Sequence, residues 1–181
     1  WPECHTPDWV NKLSREEHEQ ELLKYVETVV NRYKDSPSLL YWQIENEPFL
    51  IYFSRAHCSI HNEKVKETME EELALVRRLD PLHPILITDS GEFGDWFRAY
   101  SRGDVFGTSL YLYVWPRSIG FPIRYPIMPG FFRFKHNIVR LVLGAKPTFV
   151  VELSAEPWLL QPIVKTPIET QLDRMGIDKF N

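Results

Sequence analysis

Apolar positions along the chain recur in two rhythms. Leu22, Leu23, Val26, Val29, Val30 and Tyr33 fall at helical spacing, so they share one face of a predicted helix. Ser14-Arg15-Glu16-Glu17 ahead of them is a capping box, in which the Ser hydroxyl and a Glu carboxylate each satisfy a free backbone N–H. Asp35-Ser36-Pro37 ends that helix. A second stripe runs through Val65, Met69, Leu73, Val76 and Leu79 and closes at Asp80-Pro81. The other rhythm is the short continuous apolar run. Leu39-Leu40-Tyr41-Trp42-Gln43-Ile44 predicts a buried strand stopped by Pro48. Pro84-Ile85-Leu86-Ile87-Thr88 predicts a second, ending in Asp89-Ser90-Gly91-Glu92. Val105 to Tyr111 predicts a third, and Thr148-Phe149-Val150-Val151 a last one that runs into Glu152. A short helix over Trp96 to Tyr100, a Pro- and aromatic-rich loop from Trp115 to Phe132 and a helix from Lys135 to Leu143 fill the intervals.

Helices alternating with short apolar strands predict βαβ units on a parallel sheet. Polar and aromatic residues gather just after each strand. A (β/α)₈ barrel builds its site from that end of its strands, and so does a doubly wound open sheet at its switch point. The chain has eight Gly, none in a GxGxxG or P-loop arrangement, so a phosphate-cradling loop is not expected.

Composition narrows the classes further. The 181 residues are 44% hydrophobic and 25% charged, as in an ordinary globular domain,. A net charge of −4 gives no electrostatic footprint for nucleic acid,. No apolar run reaches the roughly 18–20 residues of a membrane span. The longest candidate, Ile138 to Val151, is broken by Arg140, Gly144, Lys146 and Pro147. Aromatics at 14% fit either a large core or a site for flat apolar faces such as sugar rings. Cys4 and Cys58 do not make a disulfide framework,. His57-Cys58-x-x-His61 lacks the second spaced pair of a metal site,, so neither metal nor cofactor is expected. Trp1-Pro2-Glu3-Cys4-His5 reads as the middle of a domain without a signal peptide, which leaves the compartment open.

Two segments carry candidate chemistry. In Ile44-Glu45-Asn46-Glu47-Pro48, carboxyls and an amide sit at the exit of a predicted strand. Burial there would keep a carboxyl protonated near neutrality, as a general acid requires; a solvated loop start is the alternative. In Phe149-Val150-Val151-Glu152-Leu153-Ser154-Ala155-Glu156-Pro157-Trp158, a second strand delivers a carboxylate at its end. A protonated and an ionised carboxyl held together are what glycoside hydrolysis needs.

These segments resemble the clan A glycoside hydrolases, (β/α)₈ barrels with an acid/base at the end of the fourth strand and a nucleophile at the end of the seventh. Trp42 and Asn46-Glu47-Pro48 match the fourth strand, and Pro147-Thr148-Phe149-Val150-Val151-Glu152 the seventh. Asp104-Val105-Phe106-Gly107-Thr108-Ser109-Leu110-Tyr111 resembles the sixth, and Trp1 to His5 the end of the third. The resemblance implies one incomplete barrel domain over 1–181, roughly strands four to seven with the end of the third, acting on a carbohydrate substrate. It implies Glu47 as acid/base, Glu152 as nucleophile, Asn46 on the sugar 2-hydroxyl, and Tyr111 orienting Glu152 and helping to keep it ionised. Glu156 is the rival nucleophile or a sugar contact. His5 either lines the site or caps a local hydrogen-bond network, and Trp115 and Trp158 are candidate stacking residues; Asp89 and Glu92 either bind hydroxyls or lie exposed. Trp42 is expected in the core or wall, and Glu45 in a structural role.

Such barrels have eight strands and about 250 residues. The first two strands, most of the third and the eighth have no counterpart here, and Thr166 to Asn181 resembles an interrupted seventh helix. An open four-stranded sheet leaves unpaired edges and bare apolar faces, so the chain alone is expected to fold poorly or aggregate. Two other readings fit the same residues: a non-catalytic sugar-binding barrel, and a metal-dependent hydrolase using His5, His57 or His61.

Overall fold

The computed structural model describes residues 8–50, 65–111, 113–114, 123–124 and 129–153. After a single 3₁₀ turn at Val10–Lys12, the elements are α1 (Arg15–Tyr33), β1 (Trp42–Gln43), α2 (Val65–Leu79), β2 (Ile85–Asp89), α3 (Phe97–Arg102), β3 (Val105–Leu110), β4 (Tyr113–Val114), β5 (Ile123–Arg124), α4 (Pro129–Leu143) and β6 (Thr148–Leu153). β1, β2, β3 and β6 form one parallel sheet in that order. Each strand lies beside the next of the four in the chain, with a helix in every crossover. That is one side of a barrel, an incomplete TIM-barrel-like half.

The capping box forms as predicted. Ser14 Oγ accepts from Glu17 N–H, and Glu17 Oε2 accepts from Ser14 N–H at 2.8 Å. α1 packs on α2. Val30, Met69, Leu73 and Val76 meet Ile85, Ile87, Phe106, Trp96, Tyr100 and Val139 in one core. β2 is buried along its whole length, which explains its unbroken apolar run.

The floor of the sheet is pinned by two aspartates. Asp80 accepts from Trp42 Nε1 (2.8 Å), His83 Nδ1 (2.7 Å) and the N–H groups of Leu82 and His83. Trp42 is partly buried and packs against the core. Asp104 accepts from Ile85 N–H and takes both arms of Arg77.

Three predicted elements differ from the structure. Only Trp42–Gln43 of the 39–44 run is paired, and Leu40 is 70% exposed. Among the described residues β6 is likewise an outer strand, with Phe149, Val150 and Leu153 exposed. An apolar run signals burial in a closed barrel, and an outer strand of a half-barrel has a neighbour on one side. α4 begins at Pro129, inside the predicted loop. Proline is suited to a first helical turn, where its missing N–H would have no partner. β5 also falls inside that loop and pairs antiparallel with β4, just before it.

Candidate active site

The four parallel strands bring their C-terminal ends to one edge, and the candidate carboxylates gather there. Glu47 follows β1 in a tight turn in which Glu45 and Glu47 both have left-handed backbone (φ 58° and 48°). Such φ values are strained for residues with a long side chain. The turn is tied to β2 by Glu47 N–H donating to Thr88 Oγ1 at 2.9 Å. The Glu47 carboxyl is partly buried, and Oε1 accepts from Ser109 Oγ at 2.6 Å. Burial pushes it up to about 7; the Ser109 bond works against that, and the charges of Glu152, Asp89 and Glu92 add to the rise.

Glu152 reaches the same place through an irregularity. β3 and β6 pair Thr108 with Val150 but Ser109 with Glu152, so β6 carries one extra residue, Val151. Bulges of this kind re-aim side chains beside active sites. Glu152 Oε2 accepts from the Tyr111 hydroxyl, and Tyr111 N–H donates to Glu92 Oε1 at 2.8 Å.

The loop after β2 forms the backing. Asp89 and Glu92, one alternative for which was exposure, are 0% and 9% exposed. Asp89 accepts from Ser90 N–H and Trp96 N–H, both at 2.9 Å. Burial raises its carboxyl to about 6, opposed by those two bonds. Lys135 of α4 donates to Gly91 O (2.8 Å) and Gly94 O (2.6 Å) and lies 4.4 Å from the Trp96 ring centre. The inaccessible interior pulls Lys135 down to about 8.

Of the predicted site residues, the structure brings together Glu47, Glu152 and Tyr111, with Asn46 beside them in sequence. Asn46 Oδ1 accepts from Gln43 Nε2 at 3.3 Å. Glu45 lies next to the buried Glu72 of α2; burial and then Glu45 hold the Glu72 carboxyl well above its usual range. His5, Trp115, Trp158 and Glu156 lie outside the described residues, as do Cys4, His57, Cys58 and His61. Among the described residues, no group of three or more His, Cys, Asp or Glu side chains could hold a metal ion, and no helix is long and apolar enough to cross a membrane. The sequence reading missed Thr88, Gly91 and Ser109. Ser109 stands two residues before Tyr111 in the predicted strand from Val105 to Tyr111, so period-two alternation puts both on one face; that signal was present.

In sequence, 45% of the chain is similar to the Probable mannan endo-1,4-beta-mannosidase C of Aspergillus terreus, with 32% identity over 92 residues. In structure, 77% of the chain superposes on the beta-D-glucuronidase of Dictyoglomus thermophilum, with a TM-score of 0.54 at 19% identity. The second match bears on the fold alone. The chain spans 22% of the first protein and 21% of the second. No family model matches it. Both proteins bear the names of glycosidases.

Proposed function

We propose that this chain carries both catalytic carboxylates of a retaining glycoside hydrolase. The observation that carries the reading is the pairing of a partly buried Glu47, held up to about 7, with Glu152 on the next strand but two, its oxygen engaged by Tyr111. In the first step Glu152 attacks the anomeric carbon. Glu47 gives its proton to the leaving oxygen, so the glycosidic bond breaks as the glycosyl-enzyme ester forms. In the second step Glu47, now ionised, takes a proton from water, whose oxygen attacks the same carbon and releases Glu152. An acid poised near neutrality can serve in both directions. Asn46 is assigned to the sugar 2-hydroxyl, where a hydrogen bond strengthens in the transition state. Glu156, Trp115, Trp158 and His5 are proposed contacts of the sugar.

The names of the two relatives make β-1,4-mannan and aryl β-glucuronides the first substrates to try. Glu47→Ala should lower kcat/KM on polysaccharide or poor-leaving-group glycosides by about 10²–10⁴-fold, while sparing aryl glycosides with good leaving groups. Glu152→Ala should abolish turnover of both. Equal loss on both substrates in Glu47→Ala would remove the acid/base assignment. Anomeric inversion of the first-formed product, followed by NMR, would remove the double displacement. Sugar binding without hydrolysis across a glycan panel would favour a non-catalytic barrel.

A further inference from the structure

The Ser109 hydroxyl is 1% exposed and has one hydrogen to give,. On one side it accepts from Gly91 N–H at 3.3 Å. On the other it lies 2.6 Å from Glu47 Oε1 and donates to it. The contact with Gly91 is close: a Cβ there would stand 2.0 Å from the Ser109 carbonyl oxygen and 2.9 Å from the Phe132 ring. The loop after β2 therefore sits directly against the strand that holds the hydroxyl.

We infer that Ser109 is a positioning residue for Glu47: its hydroxyl engages Oε1 as an acceptor in both protonation states, leaving Oε2 as the oxygen that carries and transfers the proton. This rests on the glycosidase reading above and deepens it. Oε1 as carbonyl or carboxylate oxygen can accept from Ser109 throughout the cycle, so the proton comes and goes at one defined atom. The bond is stronger to the charged form. It therefore opposes the surroundings, which favour the neutral acid. Those surroundings are Glu152 on β6, Asp89 on β2 and Glu92 in the following loop, each acting on Glu47. Tyr111, just after β3, turns its phenol to Glu152, and Lys135 on α4 faces Asp89 and Glu92. Ser109 holds back the rise that burial and these carboxylates produce, and so keeps Glu47 able to act as a base in the second step.

The test reads Glu47 directly. In the full chain labelled with ¹³C at the glutamate carboxyls, the Glu47 signal is identified through Glu47→Gln and titrated by NMR. Ser109→Ala should raise its midpoint by about one pH unit. The basic limb of the kcat/KM profile should move by the same amount while the acidic limb stays in place. Ser109→Thr, which keeps the hydroxyl, should restore both. Ser109→Cys, a near-isostere with a weak donor, gives a smaller upward shift and serves if the alanine variant does not fold. An unmoved midpoint in an active enzyme, or a Thr variant that behaves as Ala does, would overturn this inference alone. Absence of hydrolysis on any glycoside would overturn the reading beneath it, and the inference with it.

Discussion

At the scale of single residues, the proposed site keeps the Glu47 carboxyl protonated at the expense of stability. Glu47 combines partial burial, left-handed backbone and three neighbouring carboxylates. Its folded value of about 7 lies above the unfolded 4.5. Between those values the folded state holds a proton that the unfolded state releases. Its contribution to stability is therefore whole below pH 4.5 and is lost as pH rises through 7,. Glu47→Gln keeps an acceptor for Ser109 and removes the titration. It should be more stable than the parent at pH 8 by about 1–2 kcal/mol, allowing for solvent screening. The gain should vanish near pH 4, as measured by urea unfolding at both pH values. A pH-independent difference would mean that burial of the charge is not its source. Asp89, raised to about 6, acts with the same sign. Asp80 acts with the opposite sign: burial pushes its carboxyl up, but bonds from Trp42, His83 and Leu82 outweigh this and hold it low.

At the scale of elements, the site depends on how closely the loop after β2 approaches β3. Glu92 accepts from Tyr111 N–H, Gly91 N–H donates to the Ser109 hydroxyl oxygen, and Lys135 ties the loop to α4. Gly91→Ala places a methyl where the Ser109 carbonyl already stands. It should cost about 2 kcal/mol or more in denaturant unfolding, by overpacking against backbone that cannot give way, and kcat should fall with it. Wild-type stability in this variant would mean that the loop moves freely. The elements were largely legible in sequence. The stripe from Leu22 to Tyr33, its capping box and the apolar run of β2 each specify one periodicity without a rival. The extra residue at Val151 was not legible, because a bulge depends on the register against β3 and leaves no mark in the order of residues.

At the scale of the whole molecule, the half-barrel leaves apolar surface bare. Phe149, Val150 and Leu153 on β6 are 43%, 48% and 63% exposed, and Phe134, Leu141 and Val142 on α4 are 62%, 85% and 61% exposed. Among the described residues, β1 and β6 are the outer strands of the sheet. Apolar surface beside an outer strand is the condition for association. The chain on its own should scatter light as an oligomer or aggregate, increasingly so with concentration. A monodisperse monomer by size-exclusion chromatography with light scattering would show that these faces are covered.

Local order alone determined that strands and helices alternate, that β2 is buried, and that Glu47 and Glu152 each stand near a strand's end, because periodicity and caps act within a few residues. What those carboxyls face was decided by the fold. Ser109 comes to Glu47, Tyr111 to Glu152, and Asp89 and Glu92 into the interior, through contacts between strands far apart in the chain. Burial, and the protonation it imposes, is a property of neighbours, and those exist only once the sheet has formed.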